Sequence, residues 1–266
     1  MAKMLLNLKI GQILGTMTLC NNTLQFAPLN LIEFLFSEPL SALAAEYQSG
    51  SPILLEKIKI LAELYVAIRR TRGDGNCFFR SFIFSYLEHI LGTQDRAEVD
   101  RIKTKVEECR KTLQSLGYAD FTFEDFFCAI PGAVGLRSSR FVTSGEIQKR
   151  SEVFEPFILG LTNATVEQFC NSSVEPMGEE SDHVHITALS DALGVPIQIV
   201  YLDRSSCDTG GVSVNHHDFI PAADDLQNSS SGSSATKIPF ITLLYRPGHY
   251  DILYTNTKRF LTHPGY

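Results

Sequence analysis

Across 266 residues the chain is 44% hydrophobic and 20% charged, with six cysteines and no tryptophan. That apolar share excludes wholesale disorder and is enough for one large domain or two small ones. A formal net charge of −7 gives no basic footprint for nucleic acid, and no apolar run reaches the ~18 residues of a membrane span. The cysteines (Cys20, Cys77, Cys109, Cys128, Cys170 and Cys207) are irregularly spaced with no CxxC pair. Thiols in a reducing compartment fit that spacing better than a disulfide framework.

Residues 1–32 carry no acidic side chain and only two basic ones, Lys3 and Lys9. Asn7, Lys9 and Gln12 interrupt any apolar signal region, and the first arginine, Arg69, comes too late for a transit peptide. Residues 1–37 therefore read as a weakly amphipathic or poorly ordered extension. Ser51-Pro52 supplies an N-cap and a first helical position, and Leu54, Ile58, Leu61 and Tyr65 follow at helical spacing. After the turn Arg72-Gly73-Asp74-Gly75, a second helix is predicted from Phe79, Ile83, Tyr86 and Ile90. Residues 95–116 form the clearest amphipathic helix, with Val99, Ile102, Val106, Cys109, Leu113 and Leu116 on one face and Gly117 as its stop. Further helices are expected around 122–130, 144–160, 163–170 and 182–193, the last capped by Asp182.

The last third changes period. Residues 196–202 (PIQIVYL) and 239–245 (PFITLLY) are short β-branched and aromatic runs, hence buried strands. Arg246-Pro247-Gly248 makes a turn and residues 250–254 return as a strand. A Ser-rich connection over about 205–236 reads as a variable, mobile loop, with a short edge strand possible within 212–220. Helices first and strands last describe an α+β fold packed around one sheet.

Cys77 stands where a polar, glycine-containing turn enters an apolar helix. Unpaired N–H groups and the helix dipole at such a point favour a thiolate, and the same N–H groups can hold an oxyanion. Gly73 and Gly75 allow the backbone to approach a substrate carbonyl. The competing reading is a half-buried cysteine that merely opens a core helix. His249 lies at the predicted hairpin tip, and Asp251, two residues on, shares its strand face. A carboxylate so placed can hold one imidazole nitrogen while the other faces a nucleophile. Asp74 competes for that role, because spacing does not give its distance to His249. The competing reading of His249 is an ordinary surface turn residue. His183 and His185 form an H-x-H pair, but residues i and i+2 of a helix diverge, so capping and packing are expected there and no metal.

Asp74-Gly75-Asn76-Cys77, with the aromatic and Arg80 after it, resembles the nucleophile motif of ovarian-tumour-type (OTU) deubiquitinases. Tyr245-Arg246-Pro247-Gly248-His249-Tyr250-Asp251 is similar to the histidine motif of the otubain branch. Residues 174–186 (VEPMGEESDHVHI) and 188–204 (ALSDALGVPIQIVYLDR) agree, with a plant-like cast.

The resemblance implies a papain-like OTU fold, its central, mostly antiparallel sheet packed between helical subdomains. It would occupy residues 38–255, after the extension 1–37 and before a tail, 256–266. The implied reaction is hydrolysis of the isopeptide bond between ubiquitin and lysine, with a preference for the proteasome-targeting chain linkage. Cys77 would be the nucleophile, His249 the general base and Asp251 its orienting carboxylate. Asp74 would serve the oxyanion loop with Gly75 and Asn76. No metal or cofactor is implied. The implied partners are ubiquitin, polyubiquitin and ubiquitin-conjugating enzymes, for a monomer in cytoplasm and nucleus that uses neither nucleic acid nor membrane. Two alternatives are an adaptor that binds ubiquitin, a conjugating enzyme or a transcription regulator without cleavage, and a cysteine hydrolase of small substrates.

Overall fold

The computed structural model describes residues 37–119, 133–205, 211–222 and 238–255. The expectations for 1–36, 122–130, most of the Ser-rich connection and 256–266 lie outside the described residues, as do Cys20, Cys128 and Cys207. Among the described residues six strands form one sheet: β1 (Glu38–Pro39), β2 (Tyr65–Arg69), β3 (Ile197–Tyr201), β4 (His216–Phe219), β5 (Ile241–Arg246) and β6 (His249–Thr255). Their order is β1-β2-β6-β5-β3-β4. Only β3 and β5 pair in parallel; the other neighbours are antiparallel, as expected.

The inner strands β3 and β5 are apolar almost throughout because both faces of the sheet are covered there. On one face Ile197, Ile199, Leu243, Tyr250 and Ile252 meet α3 (Cys77–Thr93), α4 (Arg96–Ser115) and α8 (His183–Leu193). On the other, Val200, Leu202, Leu244 and Leu253 meet α1 (Leu40–Glu46) and α2 (Pro52–Leu64). A third apolar cluster joins α5 (Ala133–Lys149), α6 (Ser151–Leu161) and α7 (Val166–Phe169) to Val184 and Ala188 of α8. The sheet is thus sandwiched by helices, which is the α+β arrangement expected.

Of the expected caps, Asp182 forms its bonds, whereas Ser51 stands at the N-cap of α2 before Pro52 without a side-chain cap bond. Asp95 accepts from Ala97 N and Glu98 N at the start of α4. Asp182 and His185 form a reciprocal capping box on α8, and Gly194 closes that helix at φ 64°. The edge strand β4 falls inside 212–220. Three boundaries differ from expectation. Tyr65 does not continue the helix of Leu54, Ile58 and Leu61: it opens β2 and pairs with Thr255, so pairing with β6 overrides the local helical period. The helix expected over 144–160 is two helices. Arg150, at φ −115° and ψ 41°, donates its N–H to Glu146 O and accepts at its own carbonyl from Val153 and Phe154. The helix expected over 163–170 shortens to α7, and a π-turn, Cys170–Val174, follows it.

Candidate active site

Cys77 is the first residue of α3 and is buried, with 4% of its surface exposed. Its N–H belongs to the first turn of the helix and has no partner inside it. The β5–β6 turn brings His249 to this helix start: Arg246 pairs with His249 across a two-residue turn in which Gly248 takes φ 75°. Proline fixes the first turn position, and a positive φ at the second favours glycine.

His249 Nε2 lies 2.9 Å from Asp251 Oδ1. An ionised carboxylate can only accept, so Nε2 carries the proton. Nδ1 faces the nucleophile loop, since a β-carbon at Gly73 would sit 3.4 Å from it. After Asp251, Cys77 is the neighbour that does most to raise the imidazole. Asp251, Cys77 and burial act on the ring together: the hydrogen bond to Asp251 and then Cys77 outweigh desolvation and push His249 up to about 9. Such a ring holds a proton taken from the thiol.

Asp251 is wholly buried. Its Oδ1 also accepts from Thr71 N at 3.0 Å and its Oδ2 from Arg246 Nη2 at 2.6 Å. Burial alone would raise the carboxyl, but the His249 bond, the Arg246 charge and the Thr71 N–H bring it below the ordinary carboxylate range. Asp74 is held elsewhere. Arg80 clamps it with two bonds of 2.8 and 2.6 Å, and Asn76 N donates to it at 3.1 Å. Burial opposes ionisation of Asp74, yet the Arg80 and Asn76 bonds depress it too. Of the two carboxylates, Asp251 is the one brought to the imidazole.

Comparison with known proteins gives the family. The family model of peptidase C65, otubain, matches residues 32–135 and 133–255. The "OVARIAN TUMOR DOMAIN-containing deubiquitinating enzyme 1" of Arabidopsis thaliana is 65% identical over 245 residues, 82% of this chain and 79% of the relative. Human "Ubiquitin thioesterase OTUB1" is 39% identical over 239 residues, 81% of this chain and 80% of the relative. Among solved structures, that of a ceOTUB1 ubiquitin aldehyde UBC13~Ub complex superposes with a TM-score of 0.67 at 32% identity, covering 83% of this chain and 92% of that one. The chain belongs to the otubain family. It is thereby a member of the OTU-type deubiquitinating cysteine peptidases.

Sequence reading missed one side chain of this otubain's site entirely. Arg140, in the middle of α5, is fully buried. Its guanidinium donates to Gly75 O at 2.9 Å, Asn76 Oδ1 at 3.0 Å, Glu179 O at 2.7 Å and Val174 O at 2.9 Å. The face of Phe79 lies 4.7 Å from its Cζ. Burial lowers the guanidinium to about 10, which leaves it charged at neutral pH. Arg246 and Thr71 were also unassigned by sequence, although Arg246 lies within the histidine motif.

The H-x-H pair splits as its helical spacing demands. His185 bonds Asp182 at 2.8 Å and Ser173 O at 3.2 Å, whereas His183 bonds the Tyr201 hydroxyl at 2.8 Å. His216 and His217 stand exposed on β4. Burial pushes the Cys109 and Cys170 thiols up to about 12, which makes them poor nucleophiles.

Proposed function

We propose that this otubain hydrolyses the isopeptide bond between the ubiquitin C-terminus and a lysine amine, with a preference for the proteasome-targeting linkage. The observation that carries this reading is the 2.9 Å bond from His249 to the buried Asp251, with Nδ1 of the same ring turned to the nucleophile loop and Cys77 raising the imidazole. Proton transfer from Cys77 to His249 Nδ1 gives a thiolate and an imidazolium, and Asp251 holds the imidazolium through Nε2. The sulfur attacks the carbonyl carbon, and the C=O electron pair moves onto oxygen. The Cys77 N–H, set by the Gly75–Asn76 turn before it, holds that oxyanion. The intermediate collapses with cleavage of the C–N bond, and the Nδ1 proton passes to the departing lysine amine. Water then adds to the thioester, His249 takes its proton, and the thiolate leaves a ubiquitin carboxylate.

The ceOTUB1 structure contains ubiquitin aldehyde and UBC13~Ub, which supports ubiquitin, its chains and conjugating enzymes as partners here. The free thiols of Cys77, Cys109 and Cys170 support a reducing location, in cytoplasm and nucleus. The same UBC13~Ub complex favours a second reading, an adaptor that needs no cleavage. A panel of diubiquitin linkages offered to wild type and Cys77→Ala separates the two. Cleavage by wild type alone, concentrated on one linkage, supports the hydrolase. Equal inactivity of both with retained ubiquitin binding supports the adaptor.

A further inference from the structure

We propose that Arg140 is the positioning residue of the oxyanion site, a role additional to the Cys77–His249–Asp251 chemistry. The inference rests on the acyl transfer at Cys77 set out above. A buried arginine must find acceptors for its donors or destabilise the fold. Nε of Arg140 has no partner, but Nη1 and Nη2 find acceptors on two segments that come together at the nucleophile. Gly75 O and Asn76 Oδ1 belong to the turn before Cys77, whereas Val174 O ends the π-turn and Glu179 O lies between it and α8.

The turn has further ties, and these converge on the same point. Asn76 Oδ1 accepts from Gly178 N at 3.0 Å as well as from Arg140, and Asn76 Nδ2 donates to Asp74 O at 3.2 Å. Gly75 sits at φ 72° with its α-carbon against Gly178 O, where a β-carbon would come within 1.7 Å. The backbone N–H of Asn76 is spent on Asp74 Oδ1. Orientation of the remaining donors at the mouth of α3 therefore depends on where the Gly75 carbonyl and Asn76 amide are pinned. Nη2 of the one guanidinium reaches both and Glu179 O, while Nη1 takes Val174 O. A lysine ammonium is a single point and does not span the acceptors of Nη1 and Nη2 together.

This role differs from general support of the fold in what it governs. An oxyanion donor misplaced by a fraction of an ångström costs rate only in reactions that form an oxyanion. Substitution of a halide by the same thiolate forms none. Arg140→Lys is compared with wild type in two reactions: hydrolysis of a ubiquitin C-terminal fluorogenic amide, and alkylation of Cys77 by iodoacetamide followed on the Cys77 peptide by mass spectrometry. We expect kcat for the amide to fall about 100-fold with KM within about twofold, and alkylation to stay within about threefold of wild type.

Alkylation and hydrolysis falling together would overturn the proposal, since Arg140 would then act on the thiol or the whole fold. Unchanged hydrolysis would overturn it as well. Should Arg140→Lys not fold, Arg140→Gln keeps an amide donor in place of the guanidinium, and the same split between the two reactions is required. A wild type that alkylates at Cys77 but hydrolyses no ubiquitin amide would sink the proposed reaction instead.

Discussion

Arg246 Nη2 stands 2.6 Å from Asp251 Oδ2, while Oδ1 of the same carboxylate receives His249. The two oxygens of one buried carboxylate thus serve opposite neighbours, a permanent cation behind and a titrating imidazole in front. Arg246 also reaches Glu46 of α1 at 3.5 Å, and Arg70 lies 3.8 Å from Oδ2 while pairing with Glu38 and Glu46. The carboxylate stays ionised because its burial is offset by these partners, so His249 always meets a charge.

Replacement of Asp251 by asparagine keeps an oxygen for Nε2 but withdraws that charge. Cys-His-Asn peptidases operate with such a pair, so a residual rate is expected. We predict that kcat/KM on diubiquitin falls about 10- to 100-fold in Asp251→Asn. The alkaline limb should also move. His249 at about 9 sets the upper limit of the thiolate–imidazolium pair in wild type, and loss of the carboxylate brings that limit down. A pH–rate profile whose alkaline limb does not move would show that Asp251 does not hold the imidazolium.

Asp74→Asn should behave differently, because Arg80 and not His249 receives its carboxylate. The alkaline limb is expected to keep its wild-type position. The bidentate clamp and the bond from Asn76 N both weaken, so the nucleophile turn loosens. Stability should fall by about 1 kcal/mol, the value of a good partly exposed pair, and kcat/KM by about tenfold or less. A shift of the limb in Asp74→Asn to match that of Asp251→Asn would return Asp74 to competition for the imidazole.

The same two groups shape stability against pH. His249 is raised above its unfolded value of about 6.5, so its stabilising contribution is fully present below that pH and is lost as pH rises through about 9. Asp251 is depressed below its unfolded value of about 3.9. Its contribution is present above that pH and is lost as pH falls through the folded value. Urea unfolding at about pH 6 and about pH 9.5 should show a larger alkaline loss for wild type than for His249→Gln. Equal losses in the two proteins would remove His249 as the source.

What could be read in the sequence was what lies close together in the chain. Cys77 at a turn-to-helix junction, His249 and Asp251 on one strand face, the Asp182 cap and the apolar strands are all local patterns. The choice between Asp74 and Asp251 was not legible, because it is a distance between residues far apart in sequence. Tyr65 carried a true helical spacing that lost to pairing with Thr255. Arg140 left no trace, since it sits mid-helix and its acceptors are mostly backbone carbonyls, which look alike in every sequence. A buried arginine becomes visible only when the chain segments that satisfy it have been folded against it.

Gly75 offers a test of how closely those segments must approach. It holds φ 72°, and a β-carbon there would lie 1.7 Å from Gly178 O and 2.2 Å from Gly178 C. Both neighbours are backbone, so no side chain can swing aside. Gly117 provides the control: it has φ 90° at the end of α4, with nothing within 4 Å of an added β-carbon. Gly117→Ala should therefore cost only the backbone strain, about 1–2 kcal/mol. Gly75→Ala adds a steric clash, and we expect about 2–5 kcal/mol in total. Amide hydrolysis should fall as well, because relief of the clash parts the nucleophile turn from the segment to which Arg140 ties it. Chemical denaturation of the two variants reads the difference directly. Equal stability would mean that the two loops separate without cost, and that their contact does not fix the turn before Cys77.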